Sequence, residues 1–95
     1  MECVKASLIV SGRVQGVLFR DYAKAAAQKL SITGWVRNLL DGTVQIACEG
    51  DKKNIELFIQ EVRKGPPFSK VEHISIEYQG YKGEWTSFEI REFGF

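Results

Sequence analysis

The stretch from Val4 to Leu30 constrains the fold more than any other. An apolar run, a loop with two glycines and an alanine-rich segment follow one another without a linker. Val4, Ala6, Leu8 and Val10 alternate with Lys5, Ser7 and Ile9, which predicts a strand over 4–10 with one face in a core. Phe19, Ala23, Ala26 and Leu30 recur at helical spacing and predict a helix over 20–30. Its small alanines let that helix lie close against a sheet.

The rest of the chain repeats this grammar. Residues 35–38 read as a short strand, and Asp41-Gly42 is a hairpin signal. A third strand over 43–48 turns Val44, Ile46 and Cys48 inward. Asp51 suits an N-cap, and Ile55, Phe58, Ile59 and Val62 mark a second amphipathic helix that Gly65-Pro66-Pro67 stops. Residues 72–78 alternate, with Ile74, Ile76 and Tyr78 on one face. A short last strand over 86–92 carries Phe88 and Ile90 to a sheet edge. The order β-α-β-β-α-β plus a terminal strand predicts an α+β, ferredoxin-like sandwich: an antiparallel sheet with both helices on one face. Ninety-five residues without repeats or linkers predict a single domain over 1–95.

The loop joining the first strand to the first helix is Gly12-Arg13-Val14-Gln15-Gly16-Val17-Leu18-Phe19-Arg20. Glycine lets successive N–H groups converge, and a helix N-terminus adds unpaired donors and partial positive charge. Arg20 offers a planar fork of donors matched to two oxygens of one phosphate. Such a junction is an anion site or merely turn chemistry. It lacks Gly-x-Gly-x-x-Gly and a Gly-Lys-Ser/Thr ending, so dinucleotide and ATP readings are poor.

The loop resembles the first signature of the acylphosphatases, Gly-Arg-Val-Gln-Gly-Val-x-Phe-Arg. Gly34-Trp35-Val36-Arg37-Asn38, then Asp41-Gly42-Thr43-Val44 and Gly50, resembles the second. The likeness runs from about Lys5 to Arg91. Position 18, often small or aromatic in that family, is Leu18 here. The resemblance implies the ferredoxin-like fold and hydrolysis of an acyl phosphate to a carboxylate and inorganic phosphate. It implies that backbone N–H groups of Gln15, Gly16, Val17, Leu18, Phe19 and Arg20 cradle the phosphate. Arg20 holds two of its oxygens, and Asn38 orients the attacking water. The implied partners are a small-molecule acyl phosphate and inorganic phosphate, as product and inhibitor. No metal or other cofactor is implied. The competing reading is a non-catalytic module for anions or carbamoyl phosphate within a larger maturation factor. The Met1 start and the end soon after the last strand favour a stand-alone protein.

A net charge of +1 gives no global field for nucleic acid or an anionic membrane. The first and third strands carry no aromatic residue, against an RNA-reading sheet. No secretory or membrane-length apolar segment is present, so a cytoplasmic monomer is expected. Arg13 and Arg37 read as solvated charges flanking the site, Trp35 as core or rim packing, and His73 as a surface residue. Strand parity sets Cys3 and Cys48 on opposite faces, which predicts two free thiols. One histidine and two cysteines give no zinc pattern.

Overall fold

A computed structural model describes residues 1–94. The elements are β1 (Cys3–Arg13), α1 (Phe19–Lys29), β2 (Thr33–Asn38), β3 (Val44–Asp51), α2 (Lys52–Lys64), β4 (Lys70–Gly80) and β5 (Phe88–Ile90). The strands form one sheet in the order β4-β1-β3-β2-β5. Four of them pair antiparallel, whereas β5 pairs parallel with β2. The expected antiparallel sheet is therefore β1 to β4, and the expected terminal edge strand joins it parallel to β2. The reason is geometric. β1 and β2 both run against β3, and β4 runs against β1. A chain that reverses after β4 and crosses to the far edge must arrive running with β2.

Both helices cover one face of the sheet, as the pattern predicts. Ala6, Leu8 and Val10 of β1, Val36 of β2, and Val44, Ile46 and Cys48 of β3 meet Phe19, Ala23, Ala27, Ile55, Phe58 and Val62 in one buried cluster. Burial of a branched or aromatic side chain contributes about 1.5–3 kcal/mol, so this cluster is the main source of stability. Phe58 meets Phe88 edge-on, with ring centroids 5.9 Å apart. The face of α1 is rotated slightly from its sequence reading: Ala27 is fully buried, and Ala26 only partly. Asp51 caps α2 as expected, accepting the Lys53 N–H at 3.4 Å.

β1, β2 and β4 extend beyond their sequence ranges and β3 runs on to Asp51, whereas β5 is shorter than the expected 86–92. β1 continues through a register shift between Ser11 and Gly12, where it pairs with the start of β4. Gly12 has φ +121°, and a side chain there would collide with the Lys70 carbonyl. The bulge re-aims the chain into the loop that follows. On β4 only Ile74 is buried; Ile76 and Tyr78, expected on the same face as Ile74, are exposed on an edge strand. On the other face of the sheet, the 81–87 connection is held by the buried carboxylate of Glu49.

Cys3 lies opposite Asp51, and Cys48 opposite Ala6, in the β1–β3 ladder; both thiols are free. His73 is exposed, as expected. No helix among the described residues is long and apolar enough to cross a membrane.

Candidate active site

The loop between β1 and α1 is built from two left-handed residues. Gly16 has φ +74°, and Leu18, the residue before the first turn of α1, has φ +61° and ψ 28°. Leucine rarely adopts this conformation, and such strain concentrates where a loop must hold a defined shape. Leu18 is 74% exposed, so no packing of its side chain requires the conformation. The effect is to turn successive peptide groups of the loop. Among the described residues, no backbone N–H from Gln15 to Arg20 donates to a backbone carbonyl; the first such bond is from Tyr22 to Leu18, at 3.1 Å. These donors are left for a ligand or solvent.

The loop and the end of β2 enclose a cavity of about 190 Å³, lined by Val14, Gly16, Leu18, Phe19, Arg20, Asp21 and Asn38. Five residues singled out from the sequence thus meet at one place: Gly16, Leu18, Phe19, Arg20 and Asn38. Two others stand differently. Val17 packs partly against the core. The side chain of Gln15 points to the hairpin, where its Nε2 donates to the carbonyls of Leu39 at 2.8 Å and Thr43 at 2.9 Å. Neither residue lines the cavity. Val14 and Asp21 were missed. The adjacency of Asp21 to Arg20 in the first helical turn was the signal available for it.

Arg20 has no hydrogen bond or salt bridge to another described residue, so its guanidinium is free to meet an anion. Asn38 ends β2 opposite Val44 and is 7% exposed. Its Oδ1 is buried without a hydrogen-bond partner. A buried orphan acceptor costs about 1–3 kcal/mol unless something else satisfies it. Asn38 is one of the residues that line the cavity. The turn after Asn38 is tightly closed. Leu39 N–H donates to Thr43 O at 2.9 Å, and Asp41 Oδ1 accepts from Thr43 N–H at 3.0 Å and Thr43 Oγ1–H at 2.6 Å. These bonds hold the Asp41 carboxyl below its usual pKa.

The flanking residues follow their expected roles only in part. Arg13 is exposed. Arg37 is not simply solvated: its Nε donates to Gln45 Oε1 at 2.8 Å, and its guanidinium lies 4.9 Å from the Trp35 ring. Arg91 lies over the same ring at 5.0 Å, so Trp35 is clamped by two cations. A larger cleft of about 650 Å³ lies between α1 and α2, around Tyr22, Leu30, Leu57 and Glu61. Its walls are helix side chains, without converging backbone donors, and it is remote in kind from anion chemistry. No cluster of three or more His, Cys, Asp or Glu suited to a metal occurs among the described residues.

A family model described as acylphosphatase matches residues 6–90. The chain is 41% identical over 90 residues to the acylphosphatase of Pelotomaculum thermopropionicum, covering 95% of this chain and 98% of that one. The crystal structure of acylphosphatase from Bacillus subtilis superposes with a TM-score of 0.90 at 39% identity, covering 93% and 98% of the two chains. The same fold lies within a larger protein. Full-length HypF, in its phosphate- and nucleotide-bound form, matches 97% of this chain with 12% of its own, at 30% identity and a TM-score of 0.87.

Proposed function

The chain belongs to the acylphosphatase family, and on that premise we infer that its hydrolysis of acyl phosphates takes place in the cavity between the 14–20 loop and Asn38. The observation that carries this reading is the buried, unpartnered Oδ1 of Asn38 in the same wall system as the unpaired Arg20 guanidinium.

The reaction suits such spare machinery. The leaving group is a carboxylate whose conjugate acid has a pKa near ~4, so it needs no general acid. The phosphoryl group carries its charge on equatorial oxygens, and positioning plus electrostatics supply most of the rate. Backbone N–H groups of Gln15, Gly16, Val17, Leu18, Phe19 and Arg20 cradle the phosphate, and the Arg20 fork takes two of its oxygens. Asn38 Oδ1 accepts a hydrogen bond from the attacking water and so aims the water's lone pair at phosphorus. The P–O bond to the acyl carboxylate breaks, and the carboxylate leaves with the electron pair. A phosphoryl oxygen receives the proton the water loses. Inorganic phosphate, as product, competes for the same cradle.

The reading extends to a single domain over 1–95, acting as a cytoplasmic monomer on a small molecule, without nucleic-acid or membrane partners. The net charge of +1 and the two unpaired cysteines support it.

Hydrolysis of an aryl acyl phosphate, followed by ultraviolet absorbance, tests the assignment with wild type beside Arg20→Ala. Loss of one preorganised donor is expected to lower the rate by about 10²–10³. Near-normal turnover of Arg20→Ala would remove Arg20 from the site. A module that only retained the anion would show no turnover in wild type.

A further inference from the structure

We propose that Gln15 is a positioning residue for the reaction: it ties the anion loop to the turn that carries Asn38, and so sets the distance between phosphoryl group and water. The proposal rests on the reading of Asn38 given above.

The topology makes such a tie necessary. The anion loop leaves β1, whereas Asn38 ends β2, and β3 lies between those two strands in the sheet. No ladder hydrogen bond therefore joins the two halves of the site. A phosphoryl group held by one half and a water held by the other need a fixed separation, because a misplacement of about 1 Å costs on the order of 10²-fold in rate.

Gln15 supplies the link. Its single Nε2 carries two hydrogens, and each finds a carbonyl: Leu39 O at 2.8 Å and Thr43 O at 2.9 Å. Those carbonyls already close the turn, since Thr43 O accepts the Leu39 N–H and Leu39 O accepts the Gly42 N–H at 3.2 Å. Gln15 thus grips both sides of the turn at once, one residue past Asn38. Among the described residues, these are the only side-chain hydrogen bonds made by residues 14–20. Gln15 is half-buried, so water competes poorly for the two carbonyls. The adjacent Gly16 begins the left-handed part of the loop. The amide therefore sits at the hinge between anchor and cradle.

The test is a double-mutant cycle of Gln15→Met with Asn38→Ala, read as kcat, KM and the phosphate inhibition constant. Methionine keeps the length and packing of glutamine and removes both donors. Gln15→Met alone is expected to lower kcat about tenfold, with KM and the phosphate constant within about twofold. In the Asn38→Ala background it is expected to cause no further loss, because its action passes through Asn38. A merely structural role would lower thermal stability and multiply the loss in both backgrounds; that additive result overturns the proposal. So does unchanged kcat, or a rise in KM with kcat intact. If Gln15→Met does not fold, Gln15→Asn, which keeps the amide but falls one methylene short, is read in the same cycle with the same criteria. The underlying reading has its own signature in this cycle: an Asn38→Ala single variant with full kcat overturns it, and this proposal with it.

Discussion

Glu49 Oε2 accepts the backbone N–H of Lys82 at 2.6 Å and that of Gly83 at 3.0 Å, while Oε1 accepts from Glu84 at 2.9 Å. A carboxylate that is 1% exposed thus takes three successive N–H groups of a turn. Among the described residues no cation lies within salt-bridge distance of it, so these three donors are what make the buried carboxylate tolerable. It also pins the connection that lets the chain cross from β4 to the far edge and lay down β5.

Glu49→Ala is expected to lower the free energy of unfolding by about 2–3 kcal/mol, since three donors lose their acceptor. Urea denaturation measures this, and amide exchange at Lys82, Gly83 and Glu84 is expected to quicken. Catalysis is expected to survive, because Glu49 pairs with Thr33 at the opposite end of β2 from Asn38. Unchanged stability would mean that the turn holds itself.

Cys48 gives a pH-dependent expectation. Burial, the largest cause, pushes its thiol from an ordinary 9.0 up to about 12. The folded chain keeps a proton that the unfolded chain gives up. The associated stability is whole below about pH 9 and is lost as pH rises toward about 12, at up to ~1.4 kcal/mol per pH unit. Replacing Cys48 by valine is expected to flatten the fall in stability between pH 9 and 11 relative to wild type. At pH 8, iodoacetamide is expected to label Cys3 alone in native protein; labelling of both thiols by mass spectrometry would contradict the burial.

Much of this architecture was legible in the sequence because local chemistry and global fold agree. The alternation in β1 and β3, the Asp41-Gly42 turn and the Asp51 cap each specify their element without help from distant residues. The parallel pairing of β5 was not legible, since it follows from where the chain crosses the sheet and not from residues 88–90. The exposure of Ile76 and Tyr78 was hidden for a like reason: periodicity names a face but not the helix that covers it. In the site, the motifs brought Arg20 and Asn38 forward. The left-handed Leu18 and the direction of the Gln15 side chain escaped notice, because neither residue type signals its conformation.

Asp21 distinguishes two fates for the water's proton. Asp21 lines the cavity beside Arg20. If a phosphoryl oxygen receives the proton, Asp21→Asn is expected to lower kcat by less than about threefold and to tighten phosphate binding, as one negative charge leaves the wall. A loss of about 10² or more, with a changed pH profile, would make Asp21 the base.

Asn38→Asp probes the field at the water position. It preserves shape, removes the amide donors and adds a negative charge facing an anion. Phosphate is expected to bind this variant more weakly than it binds Asn38→Ala, as competitive inhibition reports. Equal inhibition constants for the two variants would place the side chain away from the phosphate.

On the proposed reading, Arg20 holds the phosphoryl group and Asn38 holds the water. The most direct measurement sets kcat beside the phosphate dissociation constant for Arg20→Ala and Asn38→Ala in one series. Arg20 meets a group already present in the ground state, so its loss is expected to damage both quantities. Asn38 meets the nucleophile, so Asn38→Ala is expected to lower kcat by about 10²-fold while phosphate binds within about twofold of wild type. Full kcat in Asn38→Ala, or parallel losses of phosphate binding in both variants, would contradict this division of labour.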